Sequence, residues 1–61
     1  MDAKIRVMLA DASAEFRLLL REALEETGEF QVVGETGDGS QVAALAAETH
    51  PQILLMDTLS L

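Results

Sequence analysis

The chain has 61 residues, room for at most one small domain, and 49% of them are hydrophobic, which excludes a disordered segment. It has no cysteine and a single histidine, His50, so neither disulfides nor a Cys/His zinc site can staple so small a core. Eleven acidic residues against four basic ones give a net charge of −7, which disfavours nucleic-acid backbones and anionic membrane surfaces, both of which are bound by Lys and Arg.

Residues 5–10 (IRVMLA) form a short apolar run rich in strand formers, interrupted only by Arg6 near its start and ended by Asp11. Residues 13–27 predict an amphipathic helix. Phe16, Leu19, Leu20, Ala23 and Leu24 share one face and are expected to be core, while the acidic residues Glu22, Glu25, Glu26 and Glu29 are expected to be solvated. Ser13 is placed to cap the helix, Arg21 and Glu25 are spaced to pair across one turn, and Gly28 suits the position just past the end.

A second strand is predicted over 30–35 (FQVVGE), a loop over 36–39 (TGDG) and a second helix over 40–49 with Val42, Leu45 and Ala46 inward. His50 ends that helix ahead of Pro51, which biases it away from α geometry. Residues 53–56 (ILLM) are unbroken apolar, as for a strand covered on both faces, and they too end at an aspartate, Asp57. No apolar run approaches the ~20 residues of a membrane span. The opening MDAK has no signal-peptide anatomy, so a cytoplasmic protein is expected.

Strand, helix, strand, helix, strand with short connections predicts an α/β fold with a parallel sheet and right-handed crossovers. If the first and third strands are neighbours, Asp11 and Asp57 converge beyond their carboxyl ends, where open α/β sheets place their sites. Two carboxylates held close repel each other. A hard cation such as Mg²⁺ relieves this with oxygen ligands and suits phosphoryl chemistry. The plainer reading is that each aspartate marks a strand end, where Asp is common as a turn residue or cap.

Four segments carry a family resemblance: KIRVMLAD (4–11), FQVVGE (30–35), GDGSQVAAL (37–45) and HPQILLMD (50–57). In order and spacing they resemble response-regulator receiver domains of two-component systems, especially LuxR-type and sporulation-type regulators. The resemblance implies a truncated flavodoxin-like receiver fold with strand order 2-1-3, residues 1–61 being the N-terminal half of one receiver domain. It implies that Asp57 accepts a phosphoryl group. Asp11, Asp57 and the backbone carbonyl of Leu59 would hold Mg²⁺. A sensor histidine kinase or phosphotransfer protein would be the partner, and an output domain, often DNA-binding, would lie elsewhere in a longer chain.

Three departures bear on activity. Ala12 stands where the family has a second acid, which should weaken Mg²⁺ binding. Ser60 and Leu61 replace a customary Met-Pro pair. The fourth and fifth strands would lie beyond Leu61, and with them the Ser/Thr switch residue and a conserved-type lysine that neither Lys4 nor any arginine is placed to replace. An isolated half is therefore expected to show little or no activity. The alternative is a degenerate pseudo-receiver, a phosphorylation-independent protein-interaction module. A bare apolar third strand also predicts pairing with a second copy, as a homodimer or higher oligomer.

Overall fold

The computed structural model describes residues 3–57. Three strands, β1 (Ile5–Ala10), β2 (Phe30–Thr36) and β3 (Ile53–Met56), alternate with two helices, α1 (Ala14–Glu26) and α2 (Val42–Thr49). The sheet order is β2-β1-β3 and both pairings are parallel, the expected α/β architecture and strand order.

The apolar run of β1 occupies the centre, and burial follows from that position. Val7, Met8, Leu9 and Ala10 are each at most 1% exposed, and they are the buried apolar core among the described residues. β2 pairs along the whole of β1 with one irregularity. Val7 lies opposite Val32 but Met8 lies opposite Gly34, so Val33 is the extra residue of a bulge. Successive side chains on β2 then separate the two helices. A Cβ on Gly34 would lie 3.3 Å from Leu45 and Thr49 of α2, whereas Glu35 reaches Arg17 and Arg21 of α1. The helices therefore cover opposite faces of the sheet.

The helix ends follow local chemistry. Ser13 Oγ accepts the Phe16 N–H at 3.1 Å, and Gly28 takes φ +79° just past α1. Ser13 and Thr27 are thus caps rather than helical residues, and α1 is one residue shorter at each end than expected. β2 runs one residue further than expected, to Thr36. The second helix was expected from residue 40. Instead Gly39–Gln41 form a 3₁₀ turn, because Asp38 Oδ1 accepts the backbone N–H of Ser40 at 2.9 Å and its hydroxyl at 2.8 Å. α2 begins at Val42 and buries Val42, Leu45 and Ala46 partly, as expected. His50 ends it in the left-handed region (φ 50°), its N–H donating to the Ala46 carbonyl at 2.9 Å. The Arg6 guanidinium donates to the Thr49 and His50 carbonyls that end α2.

Three expectations are corrected. The α1 stripe is not a closed core: Phe16 and Leu19 are 49% and 65% exposed, while Leu20 and Leu24 are half-buried. β3 is not covered on both faces, since Ile53, Leu54, Leu55 and Met56 are all exposed. The reason is placement: α1 packs on β2, α2 packs on β2 and β1, and neither lies over β3 to a comparable extent. Arg21 pairs with Glu35 at 3.0 Å rather than with Glu25. Glu25 is exposed, as expected, and also accepts the Val32 N–H at 3.1 Å, tying α1 to β2.

The Asp38 turn gives a pH-dependent prediction. The Ser40 hydroxyl first, then the Ser40 N–H, hold the Asp38 carboxyl below its ordinary value by bonding to the charged form. The turn's contribution to stability is therefore present at neutral pH and fades as pH falls through the lowered pKa. An NMR titration of the Asp38 side chain should show an acid-shifted midpoint that moves back up in Ser40→Ala; an unchanged midpoint in that variant contradicts the assignment.

Candidate functional site

Parallel pairing brings the carboxyl ends of β1 and β3 side by side. Ala10 lies opposite Met56, and the N–H of Asp57 donates to the Ala10 carbonyl at 3.1 Å. The next residue on each strand is an aspartate, so Asp11 and Asp57 emerge together at one edge. Both line a cleft of about 330 Å³ walled by Leu9, Phe16, Leu20 and Leu55. Of the α1 stripe, Phe16 and Leu20 form part of these walls.

The two acids differ in environment. Asp11 is 8% exposed and held along its main chain and side chain. Its N–H donates to the Thr36 carbonyl at 3.1 Å, and its Oδ1 accepts the Ser13 N–H at 2.8 Å. Asp57 lies at the exposed strand exit. One carboxylate is thus buried and fixed, and the other is at the solvent-exposed end of its strand.

Sequence reasoning missed a third member. It placed no arginine near this edge, yet Arg17 lines the same cleft. Its guanidinium donates from Nη1 to the Asp11 carbonyl and from Nε to Glu35 Oε1 at 3.1 Å, while Arg21 Nη1 meets Glu35 Oε2 at 3.0 Å. The fork geometry of a guanidinium serves both acceptors at once from donors in fixed relative positions, whereas an ammonium offers three rotatable donors at one point. No local pattern announces this, because Arg17 and Glu35 are 18 residues apart and on different elements.

The donor set suits a hard divalent cation only in part. Mg²⁺ is commonly held by one or two carboxylates with waters completing its shell, and Asp11 and Asp57 meet that minimum. Among the described residues no three His, Cys, Asp or Glu side chains group closely enough to form a fuller cage. Ala12 adds no carboxylate, and Leu59, the expected carbonyl donor, lies outside the described residues, as do Ser60 and Leu61.

No family model matches the chain, and no solved structure matches it. Curated relatives do. It is 43% identical over 53 residues to protein-glutamate methylesterase/protein-glutamine glutaminase 3 of Syntrophomonas wolfei, covering 87% of this chain and 15% of that protein. It is 43% identical over 54 residues to the uncharacterized transcriptional regulatory protein YxjL of Bacillus subtilis, covering 88% and 25%. It is 42% identical over 53 residues to the transcriptional regulatory protein LiaR of Bacillus subtilis, covering 87% and 25%. The chain thus spans a quarter or less of these relatives' lengths. Among the described residues no helix is long and apolar enough to cross a membrane. Over most of its own length the chain is thus similar to these regulatory proteins, and its sheet has the β2-β1-β3 order expected from the sequence.

Proposed function

We propose that this chain serves as the phosphoryl-accepting segment of a cytoplasmic two-component receiver, with Asp57 as the acceptor. The observation that carries the proposal is the convergence of Asp11 and Asp57 in one cleft at the carboxyl edge of β1 and β3. A carboxylate oxygen of Asp57 forms a bond to the donor's phosphorus. The bond to the leaving histidine nitrogen, or to the oxygen of a small phosphodonor, breaks as its electron pair departs with the leaving group. The product is an acyl phosphate on Asp57.

The chain's own residues prepare this step. Exposure of Asp57 at the strand exit admits a donor. The backbone bond to Ala10 holds its Cα in register beside β1. Asp11 is oriented for a cation by the Ser13 N–H that its Oδ1 accepts. Asp11 and Asp57, with the Leu59 carbonyl as a further donor, would hold Mg²⁺, which when bound neutralises charge developing on the transferred group. Ala12 leaves that site one carboxylate poorer than the family pattern, so weak Mg²⁺ binding is expected. The donor would be a sensor histidine kinase or a phosphotransfer protein. Output through a further domain, as in transcriptional regulators, is part of the same proposal.

Ala12 also favours a second reading, a pseudo-receiver that binds partners without phosphorylation. Intact-mass measurement after incubation with acetyl phosphate and Mg²⁺ separates the two. The protein as its gene encodes it should gain one phosphoryl mass, and Asp57→Asn should gain none. No gain by a folded protein moves the assignment to the interaction module.

The four apolar residues of β3 are exposed on a strand that pairs, among the described residues, with β1 on one side. An apolar edge of this kind pairs readily with another strand. We therefore also propose self-association through β3. Sedimentation of the 61-residue chain should report a dimer or larger species, and replacing Leu54 or Met56 with lysine should shift it toward monomer; a folded monomer at micromolar concentration contradicts the proposal.

A further inference from the structure

We propose that Arg17 is a positioning residue for the acidic site: it fixes the main chain at Asp11, and through it the carboxylate that would face a divalent cation. The inference rests on the receiver reading above.

Three observations converge on it. First, the Asp11 main chain is held from both sides, its N–H by the Thr36 carbonyl and its own carbonyl by Arg17 Nη1. Second, the arginine is itself anchored. Glu35 accepts its Nε, and because Arg21 takes the other Glu35 oxygen, that carboxylate is fixed at both ends. The Arg17 side chain is only 16% exposed, so this geometry is not an incidental surface pair. Third, the loop after β2 is shaped around the guanidinium. A Cβ on Gly37 would lie 2.8 Å from Arg17 Nη1 and 3.4 Å from the Asp11 carbonyl oxygen. Gly37 thus leaves the space that the guanidinium occupies. The chain Glu35–Arg17–Asp11 links β2 to the cleft through groups that touch no reacting atom.

The sign of the effect separates positioning from simple charge. A fixed cation near a divalent site repels Mg²⁺, so removing it should tighten binding if charge were its whole role. If Arg17 orients Asp11, removing it should weaken binding instead. Outer groups that orient ligands typically change metal affinity by about 10–100-fold. Lysine keeps the charge but lacks the fork needed to hold Glu35 and the Asp11 carbonyl together. Gly37→Ala keeps every charge and displaces the guanidinium.

The test is an Mg²⁺ titration of the protein as its gene encodes it, read from the amide NMR shifts of Asp11 and Ser13, with circular dichroism as a check on folding. Positioning predicts weaker binding in Arg17→Met, no rescue in Arg17→Lys, and a loss of the same direction in Gly37→Ala. Should Arg17→Met fail to fold, Gly37→Ala carries the test. Tighter binding in Arg17→Met, or unchanged binding in Gly37→Ala against a normal wild-type response, overturns the proposal alone. A folded wild type whose Asp11 and Ser13 amides do not respond to Mg²⁺ overturns the metal reading and this proposal with it.

Discussion

Parallel pairing on both sides of β1 is the constraint from which the rest follows. Among the described residues it makes β1 the one strand flanked by neighbours, so Val7, Met8, Leu9 and Ala10 carry the buried core. It also aligns all strand exits in one direction. An aspartate immediately after β1 and another immediately after β3 then leave the sheet at the same edge and line one cleft. The site is therefore a consequence of register: Ala10 opposite Met56 places Asp11 beside Asp57.

The same constraint explains where the structure is thin. The helices lie on opposite faces of the sheet, and both lean toward β2. β3 receives little cover, and Phe16 and Leu19 remain exposed beside the cleft. The fold thus couples a well-buried central strand to an open edge, and the candidate site sits on the boundary between them. A buried Asp11 gives that site rigidity, while Asp57 at the open edge gives it access.

Much of this was legible in the residues. Element order, the strand bounds of β1 and β3, the Ser13 cap and the Gly28 position follow from local chemistry, and the structure agrees. The convergence of Asp11 and Asp57 was legible once neighbouring strands were assumed. What stayed hidden was non-local. Helical spacing offered Arg21 and Glu25 as partners, but Glu35 on β2 competes for Arg21 and captures Arg17 as well, while Glu25 turns to the Val32 N–H. Amphipathic periodicity marked the face that α1 turns inward, yet it could not say how much sheet would lie beneath it. The run in β3 has the composition of a strand covered on both faces, and composition does not reveal which neighbours are in place.

The central claim is that Asp11 and Asp57 share one electrostatic site. A double-mutant cycle of Asp11→Asn and Asp57→Asn, read by urea unfolding in metal-free buffer and again with Mg²⁺, tests it most directly. Coupled carboxylates predict that the two substitutions are non-additive by about 0.5–3 kcal/mol, with the coupling reduced by Mg²⁺. Additivity within about 0.5 kcal/mol under both conditions would mean that the two aspartates end their strands independently and form no common site.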